Sequence, residues 1–243
     1  MPVEIVAAPA KLTVSLRITG VRPDGYHLID AEMVTLDLAD VLTIDPSGSG
    51  LSGVGPFSAG MPTDQSNLVA KALRLTDRKA FVEIDKQIPH GGGLGGGSGD
   101  AAAILRWAGF DDLAAAARLG ADVPFCLVGG RAIVRGIGEI IEPLPPIARD
   151  FTLIIPPLSC STPAVYRAWD DLGGPTVDGP NDLEPAALMV EPRLATWRDR
   201  IAQTVGVAPI LAGSGATWFL DSHHPALVDA LPDATIVLTR TRT

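Results

Sequence analysis

The chain has 243 residues, 47% of them hydrophobic and 19% charged, and its formal net charge is −9. An acidic chain without a basic run is a poor binder of nucleic acid or of an anionic membrane surface. Its apolar stretches are shorter than the roughly 18 residues of a membrane helix, no signal-peptide pattern opens it, and two cysteines are too few for a disulfide framework. We therefore expect a cytoplasmic protein that binds neither nucleic acid nor membrane.

The first part of the chain reads mainly as strands. They are predicted at Val3–Ala8 and Leu12–Ile18, on either side of a Pro-Ala-Lys turn, and at Met33–Leu38, Val41–Ile44 and Phe81–Ile84. Pro46–Pro62, rich in glycine, serine and proline, is predicted to be a loop. A helix over Asn67–Leu75 is expected to be capped by Ser66 or Asn67.

Glycine is unusually frequent, with 26 residues, and seven of these lie between Gly91 and Gly99. No Gly-X-Y period runs through the chain, which excludes collagen. The loop precedes Ala101–Trp107, which is apolar on nearly all sides and is predicted to be a buried helix. Bare amides at the start of a helix bind phosphate oxygens, and a flexible linker is the alternative. The pattern is neither the Gly-Lys-Ser/Thr P-loop nor the Rossmann fingerprint.

Further on, strands and helices mix without a regular βαβ alternation, which favours an α+β fold. A helix is predicted at Leu113–Leu119, and strands at Ala132–Val134 and Ile140–Ile141. Pro143–Pro146 reads as a boundary between residues 1–146 and 147–243. The second half is predicted to contain strands at Phe151–Ile155, Pro209–Leu211, Ala216–Leu220 and Thr235–Thr239, and helices at Ala164–Asp170, Pro185–Val190 and Arg193–Val205.

Three segments carry candidate functional side chains. Lys11 is one of only four lysines beside fifteen arginines, and it lies in an apolar segment. It could be a functional lysine, or a strand lysine whose ammonium snorkels to the solvent. Asp122 stands between Gly-Ala and Val-Pro-Phe, where a carboxylate needs a partner unless it is a cap or turn residue. Tyr26 and His27 follow a Pro-Asp-Gly turn, an exposed place for an aromatic residue, and on their own favour a hydrophobic plug and a surface histidine.

The segment Pro89-His-Gly-Gly-Gly-Leu-Gly-Gly-Gly-Ser-Gly-Asp-Ala-Ala102 resembles the phosphate loop of the GHMP kinases. Within that superfamily, further segments resemble the 4-diphosphocytidyl-2-C-methyl-D-erythritol kinase family, in the family's order and over almost the whole chain. These segments are Ala8–Thr13, Arg22–His27, Leu119–Pro124, Ser161–Tyr166, Asn181–Glu184 and Ala212–Ala216.

The resemblance implies a two-domain fold, with an N-terminal half like ribosomal protein S5 domain 2 and a ferredoxin-like C-terminal half. It implies an ATP- and Mg²⁺-dependent kinase that phosphorylates a hydroxyl of the cytidylyl substrate, in the non-mevalonate route to isoprenoid precursors. The partner would be this small molecule, and the protein a monomer or weak homodimer. The alternatives are a GHMP kinase for another small alcohol and a nucleotide-binding protein that has lost catalysis.

The resemblance also implies roles for particular residues. Asp122 would be the general base with Lys11 beside it, an arrangement that offsets charge on the attacking oxygen and the γ-phosphate. No metal ligands from the protein are expected. Nucleotide binding is implied for Asn67, Leu68, Pro89, Gly91, Gly92, Gly93, Leu94, Gly95, Gly96, Gly97 and Ser98. Substrate binding is implied for Thr13, Tyr26, His27, Asp122, Thr162, Gly213 and Ser214.

Several of these residues have simpler explanations. Asn67 and Ser98 could cap helices, Leu68 could pack, and a tight turn would explain Gly213–Gly215. Asp100 could lie near the metal, but we expect a first-turn acid that complements the helix dipole.

The chain departs from the family's pattern in three respects. Thr13 stands where the family usually has Asn, and Gly99 replaces a frequent second Ser. The chain is also short between Asn67 and Phe81 and between Trp107 and Leu119, on the side where the nucleotide is expected. The change at Thr13 could alter substrate choice, and Gly99 leaves fewer hydroxyls for phosphate or metal. The short segments could alter adenine recognition.

Overall fold

Two long strands form the framework of the first sheet in the computed structural model, which describes residues 2–242. Strand β1 (Glu4–Val21) pairs antiparallel with β2 (His27–Asp45). The register shifts between Pro9 and Lys11, because proline has no N–H to donate to the ladder. The turn expected there is therefore wrong, since the strand continues through a bulge. The strands predicted at Met33–Leu38 and Val41–Ile44 are likewise parts of β2.

Four shorter strands complete this sheet: β3 (Gly50–Val54), β4 (Phe81–Asp85), β5 (Arg131–Gly136) and β6 (Ile140–Leu144). The strand order in the sheet is β3-β4-β2-β5-β6, and β1 pairs with β2 outside this path. Strand β3 lies inside the segment predicted as a loop, so that prediction is wrong for its middle part. Its glycines and serine have a low strand propensity, so the local sequence does not indicate a strand. The strand is stabilised by its parallel pairing with β4.

Four helices belong to the same half: α1 (Leu68–Leu75), α2 (Gly96–Trp107), α3 (Leu113–Ala117) and α4 (Val123–Val128). Every residue of α2 from Gly99 to Leu105 is buried, which confirms the predicted buried helix. The helix begins five residues earlier than predicted, inside the glycine-rich segment. The sequence did not predict α4, because Pro124 reads as a turn residue. In the first turn of a helix, however, proline removes no hydrogen bond.

The second sheet has the order β10-β7-β9-β8. Its strands are β7 (Asp150–Ile155), β8 (Ile210–Leu211), β9 (Trp218–Asp221) and β10 (Thr235–Arg240). The helices of this half are α5 (Thr162–Asp171), α6 (Glu184–Val190), α7 (Arg193–Val205) and the unpredicted α8 (Ala226–Ala230). The mixture of helices and strands confirms the predicted α+β class.

The hydrophobic core crosses from one half to the other. One buried cluster joins Leu16 and Met33 of the first sheet with Ile154, Trp169 and Trp218 of the second half. Sheet membership changes between Leu144 and Asp150, and Pro143 lies within β6. A division into two domains at residues 146 and 147 stays a prediction. The shared core holds β1 against the second half, and the candidate site lies along that seam.

Candidate active site

Lys11 and Asp122 form an ion pair, with Lys11 Nζ 3.2 Å from Asp122 Oδ2. Lys11 is only 5% exposed, so the snorkelling alternative is wrong. Asp122 directly precedes α4, yet its side chain makes no capping hydrogen bond to that helix. Asp122 thus stands at the capping position, as the alternative expected, but its side chain pairs with Lys11 instead of capping the helix. The ammonium also donates to Thr13 Oγ1 at 3.1 Å, because alternate residues of a strand share one face.

The glycine loop is joined to the strand that carries this lysine. Leu94 is buried, and its carbonyl accepts a 2.9 Å hydrogen bond from the backbone N–H of Lys11. Gly95 has φ of 69°, and a Cβ there would lie 2.8 Å from Lys11 Cγ. A side chain at this position would therefore displace the lysine. The loop is a built part of the site, and the flexible-linker alternative is wrong.

Helix α2 starts at the end of the loop, with Gly95 as its capping residue. Ser98 lies within the first turn, so the alternative that it caps the helix is wrong. The first N–H groups of an α-helix have no partner inside the helix and carry the positive end of its dipole. Those of Gly96, Gly97 and Ser98 could therefore bind phosphate oxygens.

Asn67 and Leu68 lie at the start of α1. Asn67 caps this helix, accepting from Val69 N at 2.8 Å, and its amide donates to Pro62 O at 2.7 Å. The predicted cap at Asn67 is confirmed, and these contacts occupy its side chain. Leu68 packs beside the loop, where a Cβ on Gly97 would meet its Cδ1 at 3.8 Å.

A second glycine-containing turn, Gly213–Gly215, faces the loop. A Cβ on Gly93 would lie 3.1 Å from Gly215 O, so the two backbones touch. The hydroxyls of Ser214 and Thr162 are hydrogen-bonded at 2.8 Å. Asn181 supports the turn by donating to Gly213 O at 2.7 Å. Thr162, Gly213 and Ser214 thus lie together, as predicted from widely separated segments.

Tyr26 and His27 lie at another part of the same depression. Tyr26 is 59% exposed, so it is not a hydrophobic plug. His27 is held from the second half of the chain, with Nε2 2.8 Å from Asp170 Oδ1. Its ring centroid lies 4.7 Å from that of Tyr166. An exposed aromatic ring near an oriented imidazole suits recognition of a planar base.

These groups share one cleft of about 930 Å³. The predicted residues that line it are Lys11, Thr13, Tyr26, His27, Gly93, Asp122, Thr162, Gly213 and Ser214. The remaining nucleotide candidates do not line this cleft. They are Asn67, Leu68, Pro89, Gly91, Gly92, Leu94, Gly95, Gly96, Gly97 and Ser98.

Charge and burial shape the chemistry of two neighbouring side chains. Burial, and then the negative charge of Asp122, raises the pKa of the Tyr166 hydroxyl well above its usual range. The same two causes raise the pKa of the Cys126 thiol to about 12. Both groups therefore stay protonated near neutral pH, so neither is suited to accept a proton there.

Sequence reasoning missed a buried ionic cluster behind the loop. Lys86 binds Asp40 and lies 2.7 Å from Asp100 Oδ2, and all three side chains are buried. The expectation that Asp100 is a first-turn acid serving the helix dipole is wrong, because its carboxylate pairs with Lys86. A signal was available in Lys86, one of four lysines, which lies three residues before Pro89.

Gly99 also has a structural explanation that the sequence did not provide. It is buried where α2 crosses β1, and a Cβ there would lie 2.8 Å from Pro9 O. The absence of a serine hydroxyl at this position therefore follows from close packing between the helix and the strand.

None of the helices among residues 2–242 combines the length and the apolar character required to cross a membrane.

Comparison with known proteins agrees with this geometry. The GHMP kinases N terminal domain family matches residues 67–130, which include the glycine loop and Asp122. A protein of Paracoccus denitrificans named 4-diphosphocytidyl-2-C-methyl-D-erythritol kinase is 39% identical over 236 residues, covering 88% of this chain and 85% of that protein. A protein of the same name from Cereibacter sphaeroides is 38% identical over 241 residues, or 87% of each chain.

Solved structures show the same fold. A crystal structure of 4-(cytidine 5'-diphospho)-2C-methyl-D-erythritol kinase matches with a TM-score of 0.80 and 32% identity, covering 99% of this chain and 100% of that one. Homoserine kinase from Cytophaga hutchinsonii matches with a TM-score of 0.65 and 16% identity, covering 98% and 94% of the two chains. The expected GHMP kinase fold is confirmed.

Proposed function

Because the chain belongs to the 4-diphosphocytidyl-2-C-methyl-D-erythritol kinase family, within the GHMP kinases, we propose that it transfers the γ-phosphoryl group of ATP to a hydroxyl of 4-diphosphocytidyl-2-C-methyl-D-erythritol. This is the kinase step of the non-mevalonate route to isoprenoid precursors. The enzyme is an ATP-dependent small-molecule kinase.

The observation that carries the proposal is the attachment of the Lys11–Asp122 pair to the glycine loop. The backbone N–H of Lys11 donates to Leu94 O at 2.9 Å, and its ammonium lies 3.2 Å from Asp122 Oδ2. Lys11 therefore fixes the position of the loop, which is suited to phosphates, relative to the Asp122 carboxylate, which is suited to proton transfer. Fixed relative positions of this kind are the main source of catalysis in phosphoryl transfer.

In the proposed reaction the acceptor hydroxyl gives its proton to Asp122. The hydroxyl oxygen forms a bond to the γ-phosphorus, and the bond from that phosphorus to the β,γ-bridging oxygen breaks, so that ADP leaves. The Lys11 ammonium offsets the negative charge that builds up between the attacking oxygen and the γ-phosphate. Thr13 fixes the ammonium by accepting one of its hydrogen bonds.

The glycine loop would bind the phosphates of ATP through the first amides of α2, at Gly96, Gly97 and Ser98. Leu68, which packs beside Gly97, would contribute an apolar contact on the nucleotide side. At the acceptor end, Tyr26 would stack on the cytosine ring and His27 would hydrogen-bond the base. Thr162, Gly213 and Ser214 would line the path between the base and the reacting hydroxyl.

We also propose that Mg²⁺ accompanies ATP. The described residues contain no group of three or more His, Cys, Asp or Glu side chains able to hold a metal ion. Mg²⁺ usually keeps several waters and binds substrate phosphates together with one or two carboxylates, so phosphate oxygens and water would supply most of its ligands. Ser98 offers a hydroxyl at the start of α2, and the bound ion would neutralise charge on the phosphates.

The direct test is an ATP-consumption assay with the cytidylyl substrate, comparing the wild type with Asp122→Asn. Loss of a general base is expected to lower kcat about 10²- to 10⁴-fold with little change in the KM for ATP. Asp111→Asn, which removes an exposed carboxylate outside the cleft, is the control and should keep wild-type activity. Equal activity in Asp122→Asn would remove this residue from the role of base.

The same assay separates the alternative functions. Faster turnover of mevalonate or homoserine than of the cytidylyl substrate would assign the enzyme to another small alcohol. ATP binding without transfer to any of these acceptors would indicate that catalysis has been lost.

A further inference from the structure

Three charged side chains form a buried cluster that the proposed reaction does not use. Lys86 is 2% exposed, Asp40 0% and Asp100 3%. The Lys86 ammonium binds both carboxylates, and lies 2.7 Å from Asp100 Oδ2. Burying three charges carries a large desolvation penalty, and these partly compensate one another through charge-assisted hydrogen bonds. Such a cluster needs an explanation beyond stability, because buried ion pairs often add little of it.

The cluster lies at the two ends of the glycine loop. At the entrance, Asp40 Oδ1 accepts from Gln87 N at 2.6 Å and from Ile88 N at 2.8 Å, the last two backbone donors before Pro89. At the exit, Asp100 belongs to α2, one turn beyond Gly96. The Lys86 side chain joins the two ends, since its backbone precedes the loop and its ammonium reaches the helix that follows it.

The ammonium also lies close to the first turn of α2. A Cβ on Gly96 would be only 3.3 Å from Lys86 Nζ. A positive charge is unfavourable at a helix N-terminus, and the two aspartates offset it. Any movement of α2 away from Lys86 would separate Asp100 from its partner inside the protein, where an unpaired charge is costly.

From this geometry we propose that Lys86 is a positioning residue for the nucleotide: with Asp40 and Asp100 it closes the glycine loop at its base and sets the amides of α2 for the phosphates of ATP. This inference rests on the proposed function, in which that loop binds ATP. Four of the seven glycines between Gly91 and Gly99 precede α2, and a loop so rich in glycine has a high conformational entropy when free. Fixing its ends in advance lowers the entropy lost when the nucleotide binds.

The test compares the wild type with Asp100→Ala and Asp100→Asn. Both variants keep the Lys86–Asp40 pair, so no charge is left without a partner and folding should survive. Asp100→Ala removes the contact at the loop exit, whereas the asparagine oxygen can still accept a hydrogen bond from Lys86. Asp30→Ala is the matched control, because it breaks the pair in which Arg135 Nε lies 2.6 Å from Asp30 Oδ2, away from the loop.

ATP affinity is measured by titration calorimetry, and KM is measured for ATP and for the cytidylyl substrate. Asp100→Ala should weaken ATP binding and raise the KM for ATP about tenfold, the scale of one charge-assisted hydrogen bond, with the KM of the acceptor unchanged. Asp100→Asn should restore most of the ATP affinity, and Asp30→Ala should behave as the wild type. A general loss of structure would instead lower kcat and the number of ATP sites found by calorimetry, without a selective rise in the KM for ATP.

The outcomes separate this inference from the proposed function. Wild-type ATP affinity in Asp100→Ala, or an equal rise of both KM values, would overturn the positioning role. If the wild type binds ATP but transfers no phosphate, the proposed reaction fails, and the calorimetric comparison still decides the positioning role. If the wild type binds no ATP, both proposals are wrong.

Discussion

The ammonium of Lys11 donates a 3.1 Å hydrogen bond to the hydroxyl of Thr13, two residues further along the same strand. The same ammonium lies 3.2 Å from Asp122, so Thr13 and Asp122 together fix the direction of the lysine side chain. In this chain the residue that stands in place of the family's usual asparagine is therefore bonded to the Lys11–Asp122 pair.

Replacing Thr13 with valine keeps the shape of the side chain but removes the acceptor for Lys11. We expect kcat to fall about tenfold, the scale of one hydrogen bond to a charged group, while the KM for ATP stays the same. Steady-state kinetics with varied ATP and acceptor measure both. Thr13→Ser keeps the hydroxyl and serves as the control, and a wild-type kcat in Thr13→Val would show that the hydrogen bond does not position Lys11.

Replacing Gly99 with serine should destabilise the protein. A Cβ at this position would lie 2.8 Å from Pro9 O, and a backbone atom cannot move aside without shifting β1 against α2. Overpacking of this kind reduces the free energy of unfolding by about 1–3 kcal/mol. Denaturant unfolding measures the change. Gly97→Ser is the control, because a Cβ there would meet its neighbour at an ordinary 3.8 Å. Equal stabilities would contradict the packing explanation.

The stability of the protein should depend on pH through Asp100. Burial raises the pKa of this carboxyl from 3.8 to about 7, with Lys86 opposing the rise and Asp40 adding to it. Between about pH 4 and 7 the folded chain therefore holds a proton that the unfolded chain releases, so this group's contribution to stability falls as the pH rises.

Asp100→Asn removes that titration. The free energy of unfolding of the wild type, minus that of the variant, should decrease from pH 4 to pH 7 and become constant above about pH 7. Urea unfolding at several pH values gives this difference. The charged or titratable side chains near Asp100 are Lys86, Asp40 and Cys126, and the thiol stays neutral throughout this range. A difference that does not change with pH would contradict the assignment to Asp100.

Asp170 should influence recognition of the acceptor without touching the reaction. It holds His27 through a 2.8 Å contact to Nε2 from helix α5. We expect Asp170→Ala to raise the KM of the cytidylyl substrate up to about fivefold, since the Asp170 side chain is about half exposed and such a pair contributes little. The KM for ATP should stay unchanged. Asp171→Ala removes the neighbouring exposed carboxylate as a control. If both variants raised KM equally, a general charge effect would explain the result.

The parts of the site that the sequence predicts are those carried by short contiguous segments. Residue type and neighbouring sequence mark the glycine loop, Lys11 and Asp122 as candidates one by one. The family resemblance is what predicts that they form a single site. The sequence also predicts the buried helix after the loop, because its apolar residues cover every side.

What the sequence could not predict depends on contacts between distant segments. Proline at position 9 indicates a turn locally, but the neighbouring strand β2 carries the chain through a bulge. Lys86 and Asp40 are 46 residues apart, and no local pattern connects them. Gly99 reads as a missing serine until α2 is seen to cross the backbone of Pro9. In each case pairing or packing with another segment overrides the local preference.

The ion pairs of Lys11 and Lys86 divide the four lysines of this chain into two chemically different pairs. Lys11 and Lys86 are 5% and 2% exposed, and both ammonium groups are bound to carboxylates, whereas Lys71 and Lys79 are more accessible. Among the four lysines, acylating reagents or amine-coupled surfaces should therefore react with Lys71 and Lys79 first. The protein could be labelled or immobilised through its amines with its phosphate-transfer machinery left intact.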